Sequence, residues 1–78
     1  NFKGSDLSEA TFDGQVLEGV VFDDAVLDGA SFRNAILRDN SFRDATVEDA
    51  VFDGASMNKI TYAFLKRGKA SLNGVRIV

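Results

Sequence analysis

The chain has 78 residues and a formal net charge of −3, with no Cys, no His and no Pro. One small domain fits that length, and a conventional globular core of that size is only marginally stabilising. Absent Cys and His exclude a disulfide framework, thiol chemistry, the Ser–His and Cys–His nucleophile pairs and the commonest metal ligand, and they leave the redox compartment undetermined. No apolar run approaches the roughly 18 residues of a membrane span, so no membrane insertion is expected, and no signal peptide is visible. Asn1 already lies inside a repeat, which reads as the start of a processed or partial piece of something longer. Residues 1–53 carry all 12 acids against four bases, a net of −8, while residues 54–78 carry five bases and no acid, a net of +5. The chain is therefore a dipole, and that constrains partners more than its total charge does.

From the first residues a five-residue beat sets the architecture. Phe2, Leu7, Phe12, Leu17, Phe22, Leu27, Phe32, Leu37, Phe42, Val47, Phe52, Met57 and Tyr62 recur at every fifth position. Mostly small residues precede them by two places, among them Ala10, Ala25, Ala30, Ala35, Ala45, Ala50 and Ala55. A period of five fits neither the 3.6 of a helix nor the 2 of a flat strand. Helix caps are not evident, and Phe and Val are frequent. Gly4, Gly14, Gly19, Gly29, Gly54 and Gly74 fall two places after a central residue, with Asp, Asn or Glu at most equivalent sites. These residue types tolerate turn geometry. Each pentad thus predicts a very short strand followed by a bend, and a stack of such units escapes the size limit on a small core.

Stretches such as "ASFRN AILRD" and "AVFDG ASMNK" resemble the pentapeptide-repeat family, whose pattern is approximately A(D/N)LXX. The resemblance covers residues 1–62 firmly and 70–77 loosely. It implies an all-β fold: a right-handed quadrilateral parallel β-helix, a pentapeptide-repeat solenoid with four pentads per coil and about four coils here. Residues 20 apart then stack. Phe2, Phe22, Phe42 and Tyr62 form one interior column, and Phe12, Phe32 and Phe52 form the opposite one. Leu7, Leu27 and Val47, and Leu17, Leu37 and Met57, lie between them. This is core packing, and it implies no cofactor box.

Residues just after each central position stack as Asp13–Arg33–Asp53, Lys3–Asp23–Arg43 and Glu18–Arg38, which predicts exposed ladder salt bridges that fix register. The remaining face is acidic. Asp28 and Glu48 stack like on like, flanked by Asp24 and Asp44 on one side and Glu9 and Asp49 on the other, with Asp6 at the N-terminal end. This face is either solubilising or a site for a basic protein surface; a weak divalent-cation site is a lesser alternative. Val16, Ile36, Val21, Val26 and Val51 are expected to point outward. Asn40 stands where the repeat wants Ala, so it needs internal backbone partners or loosens its corner.

The register fails toward the C-terminus. Residues 1–59 read as the regular β-helix and residues 60–78 as an interrupted last coil and cap. Arg67 falls at a central position, and Phe64 and Leu65 fall at bends, which makes Phe64, Leu65 and Arg67 candidate cap or contact residues. "ITYAFLKRG" reads as a short helical or irregular turn, with Gly68 as its C′ residue. An open solenoid end needs such cover.

Carboxylates on solvated repeat positions and the lack of a phosphate or dinucleotide fingerprint argue against an enzyme, and no catalytic, cofactor or metal residue is assigned. The leading expectation is a non-catalytic structural or interaction module, a rigid rod presenting faces to a protein partner. Arg33, Arg38 and Arg43 sit among acids, so no direct nucleic-acid binding is expected. The family resemblance implies two further readings. One is a DNA-mimic inhibitor or protector of DNA gyrase, of the quinolone-resistance type. The other is an accessory subunit of a larger, photosynthetic membrane complex. The corresponding locations are the bacterial cytoplasm and the thylakoid lumen.

Overall fold

The computed structural model describes residues 1–78. Its backbone turns at every fifth residue, and the cause is visible at the position two after each central residue. From Gly4 through Gly54 every such residue has a positive φ, between 55° at Asp39 and 75° at Gly54. Glu9, Asp24, Asn34, Asp39, Asp44 and Asp49 adopt this left-handed conformation without being glycine. Asp and Asn tolerate it better than other side chains because a short polar group bonds locally. Most corners close with an i→i+3 hydrogen bond, such as Ala25 N–H to Phe22 O and Ala30 N–H to Leu27 O, both 3.0 Å.

Four corners complete one coil and bring the chain back beside itself, so that Val16 lies next to Ile36. Parallel bridges join Asp6 to Val26 and Val26 to Thr46, Thr11 to Ser31 and Ser31 to Val51, and Val21 to Ser41. The remaining column is the most strand-like. β1 (Val16–Glu18), β2 (Ile36–Arg38), β3 (Ser56–Met57) and β4 (Arg76–Ile77) form one parallel sheet in the order β1-β2-β3-β4. Val16 pairs with Ile36, Ile36 with Ser56 and Ser56 with Arg76, which keeps the same register throughout. The four ladder columns are the four faces of a parallel β-helix, with one short α-helix added near the C-terminus. The principal extents are 27 × 23 × 22 Å, so these residues form a stub nearly as wide as it is long rather than a rod.

The interior is the expected set of columns. Phe22, Leu27, Phe32, Phe52 and Met57 are fully buried. Rings within a column stack, at 4.8 Å for Phe12–Phe32 and 4.5 Å for Phe32–Phe52, and rings of opposite columns meet edge to face at 6.0 Å for Phe22–Phe32. Both are the favoured aromatic geometries. Val16 is exposed, Val26 is partly so, and Val21, Ile36 and Val51 are half-buried, in keeping with outward positions.

Three expectations change at the C-terminal end. A cap is present after all: Asn58 precedes α1 (Lys59–Arg67), and its Oδ1 accepts from Thr61 N–H at 2.8 Å. Lys66 and Arg67 complement the carbonyl end of the helix dipole. Gly68 is not a left-handed C′ residue. It is the C-cap at φ −77°, and Lys69 takes the left-handed conformation at φ 69°. Gly68 is needed for room instead, because a Cβ there would run into Val47 Cγ2. Third, the ring that stacks on Phe42 is Phe64, at 6.2 Å, not Tyr62. The helix advances the chain differently from a pentad, so Tyr62 leaves the column and packs only partly against the core.

Candidate functional site

Outside the core, the polar side chains divide into those bound into the scaffold and those left free. The expected salt-bridge ladders belong to the first group, but their partners differ. Asp13 Oδ1 accepts from Ser31 Oγ at 2.5 Å and from Arg33 N–H at 2.9 Å, while Arg33 Nη1 donates to Ser31 Oγ at 3.0 Å. Asp23 accepts from Ser41 Oγ at 2.5 Å and from Arg43 N–H at 3.1 Å. Asp53 accepts from Ser71 Oγ at 2.7 Å and from Asn73 N–H at 3.1 Å. A carboxylate on one coil therefore clamps a hydroxyl and an amide of the next. It prefers these donors to a guanidinium because the ladder fixes them in place, whereas an Arg side chain must be ordered to pair. The serine hydroxyls hold the Asp13 and Asp53 carboxyls below the usual carboxylate range, as Ser8 does for Asp6. Ser31, Ser41 and Ser71 carry no apolar or charge signal. Their mark in the sequence is a spacing that recurs three times over, from Asp13 to Ser31, from Asp23 to Ser41 and from Asp53 to Ser71.

Asn40 solves its corner in a specific way. The turn from Leu17 to Val20 lacks the closing i→i+3 bond. Asn40, one coil further on, supplies both halves of it: Oδ1 accepts from Val20 N–H at 2.8 Å, and Nδ2 donates to Leu17 O at 2.9 Å.

The acidic face is the second group. Ser8, Glu9, Asp28, Gly29, Glu48 and Asp49 line one open concavity with no basic or apolar residue in it. Asp28 Oδ1 accepts from Glu48 N–H at 3.3 Å, which orients the Asp28 carboxylate along the stack. The side chains of Glu9, Glu48 and Asp49 are exposed and are not tied to any hydrogen bond of the ladder. The structure thus gathers Glu9, Asp28, Glu48 and Asp49. Asp24 and Asp44 stand at the neighbouring corner, both left-handed at φ 60° and 58°. Asp6 is apart, its Oδ1 occupied by Ser8 N–H at 3.1 Å and Ser8 Oγ at 2.7 Å. No three of these carboxylates are grouped to hold a metal ion, which leaves the divalent-cation alternative without a ligand set.

The cap residues separate as well. Leu65 is fully buried and plugs the end of the core, so it is not available to a partner. Phe64 and Arg67 border an open groove of about 560 Å³ with Asp28, Ala45, Thr46, Val47, Glu48, Gly68 and Lys69. Sequence reasoning missed Gly68 and Lys69 here, because the helix, not the pentad register, brings them over the acidic face.

A family model described as pentapeptide repeats matches residues 1–39, in 8 copies. Among solved structures, the chain is similar to a pentapeptide repeat protein from the Arabidopsis thaliana thylakoid lumen, with 22% identity and a TM-score of 0.45 over 99% of this chain and 64% of that one. It is also similar to the pentapeptide repeat protein Rfr23 from the cyanobacterium Cyanothece 51142, with 21% identity and a TM-score of 0.41 over 96% of this chain and 51% of that one. The chain therefore spans less than two thirds of either protein. A search of curated proteins finds no match. With half of its length matched by the repeat model and its ladders closed coil upon coil, the chain belongs to the pentapeptide-repeat family, whose members are generally non-catalytic structural proteins.

Proposed function

We propose that the chain is a protein-interaction module that binds or braces a basic surface of a partner through its acidic face, as an accessory part of a larger assembly. One observation carries this reading. The carboxylates of Asp13, Asp23 and Asp53 are spent on the scaffold, whereas Glu9, Glu48 and Asp49 gather around one concavity with their side chains uncommitted. Like charges stacked at one coil spacing repel each other, and a basic partner relieves that repulsion. Charge reversal of Glu48 and Asp28 to Lys tests the proposal. The expected result is loss of the proteins that the immobilised wild-type chain captures from native extract, with the circular dichroism spectrum kept. Unchanged capture refutes it.

A gyrase-directed duplex mimic ranks second. It draws on the same acidic face, but a duplex as long as the 27 Å extent of the molecule carries about 16 phosphate charges, at one per ~1.7 Å. The chain offers a net −8 over residues 1–53 and opposes it with +5 at the other end. No protection or inhibition of gyrase supercoiling at micromolar protein removes this reading.

A further inference from the structure

Below the last coil, the backbone ladder is complete except where α1 interrupts it. Along the stack, the amide of each central residue donates to the coil above, as Leu27 N–H does to Thr46 O at 2.8 Å. The carbonyl two residues earlier accepts from that coil, as Ala25 O does from Thr46 N–H at 3.0 Å. The same pair of bonds is made at Leu7, Phe12, Phe22, Phe32 and Phe52. It is not made at Phe42 or Val47, because α1 replaces the two strands that belong above them. Phe64 covers Phe42 by stacking on its ring. Above Val47 the edge stays open. Ala45, Thr46 and Val47 line the groove of about 560 Å³, with Val47 N–H and Ala45 O unpaired. Ala45 is half-buried, whereas Ala25, Ala30, Ala35, Ala50 and Ala55 are 1% exposed or less.

The geometry points to strand addition: an extended segment of a protein partner completes the ladder over residues 45–48 by pairing in parallel with them. This rests on the acidic-face reading and names the partner's chemistry at one end of that face. The repeat dictates the segment. Its second residue donates its N–H to Ala45 O and accepts from Val47 N–H at its carbonyl, as Thr46 does one coil below. Its third residue must be glycine, since Gly68 already lies against the Val47 side chain. Its fourth is Lys or Arg, which stands over Glu48 and extends the Asp28–Glu48 column with the opposite charge, as Arg33 stands between Asp13 and Asp53. There the segment must leave the groove, because Lys69 O takes the next ladder amide, Asp49 N–H, at 3.3 Å. Arg67 and Lys69 border the same groove, but an acidic fourth residue would stand over Glu48 like on like, which the column disfavours. A main-chain ladder of this kind gives affinity, and the flanking side chains give specificity.

The probe is the capped peptide acetyl-Ser-Ala-Thr-Gly-Lys-Ser-amide, titrated into the full chain and followed by NMR. Saturable binding is expected, with slowed hydrogen exchange at the Val47 amide. The analogue N-methylated at its Thr nitrogen, which cannot donate to Ala45 O, should bind about tenfold more weakly, the upper range for one hydrogen bond. Equal binding of the two peptides, unchanged Val47 exchange, or no binding at millimolar peptide each overturns strand addition. The outcome is separable from the acidic-face reading, which stands or falls on the capture experiment with Asp28 and Glu48 both reversed to Lys and is indifferent to the N-methyl group. Because the decisive change is made in the peptide, the protein stays wild type and a folding defect cannot imitate the result.

Discussion

Replacing Asn40 with Ala gives the sequence the residue that the repeat prefers, yet it should destabilise the fold. The carboxamide makes two hydrogen bonds, from Val20 N–H at 2.8 Å and to Leu17 O at 2.9 Å, in a half-buried corner. At about 1 kcal/mol net for each bond, and with both backbone groups left unpaired, the expected loss is about 2 kcal/mol. A domain of this length shifts its melting temperature by roughly 4–8 °C per kcal/mol, so the variant should melt roughly 8–16 °C lower. Urea denaturation followed by circular dichroism measures the same quantity at constant temperature. The competing outcome is physical. Other corners carry Ala and close themselves, as Ala30 N–H does on Leu27 O at 3.0 Å. If Asn40→Ala unfolds within about 0.5 kcal/mol of wild type, a typical neutral surface change, the Leu17–Val20 turn has closed by itself. The bridge then does not hold that corner.

Acid should act on the clamps. Ser31 and Ser71 hold the Asp13 and Asp53 carboxyls low in the folded state, so their contribution is fully present above the unfolded carboxylate range near pH ~3.9 and is lost as pH falls through the lower folded values. Ser31→Ala with Ser71→Ala should move the acid-unfolding midpoint to higher pH; an unmoved midpoint contradicts the clamp. Gly68→Ala should displace α1 from Val47, costing about 1–3 kcal/mol by overpacking, with Phe64 ring-proton shifts reporting the lost stack on Phe42. Asn58→Ala should cost about 1 kcal/mol of stability through the lost N-cap bond to Thr61, measurable by urea titration; no change would show that the helix is held by Leu65 and Phe64 alone.

The sequence made the repeating part of this protein legible because the same physical requirement recurs at every fifth residue. Phe22, Leu27 and Phe32 announce the core by size, and the left-handed corners announce themselves through Gly, Asp and Asn. The acidic face was readable once the family resemblance supplied four pentads per coil, which places Asp28 under Glu48. What stayed hidden depended on features that occur once or act through small side chains. The charges on Arg33 and Asp13 suggested an ion pair, while Ser31, which has no charge, takes the stronger position because the ladder holds its hydroxyl in place. A single helical turn sequence gives no count of how far it advances the chain. That is why Tyr62 read as the ring over Phe42 and Phe64 occupies the place. The groove over Val47 follows from that same advance: Phe64, Arg67, Asp28 and Glu48 were each marked in the sequence, but nothing in the pentad register brings them together there.

The coil register also fixes how this protein can change in length. Val16 meets Ile36, Ile36 meets Ser56 and Ser56 meets Arg76, and no ladder bond ties the first coil directly to the last. Excision or duplication of one whole coil anywhere before Asn58 leaves each remaining strand beside a chemically equivalent neighbour. A change shorter than a pentad instead turns interior side chains outward along every later coil. The lineage of such a molecule is therefore quantised: it grows and shrinks by whole turns, and lesser insertions are absorbed only where a pentad is replaced outright, as α1 replaces two of them.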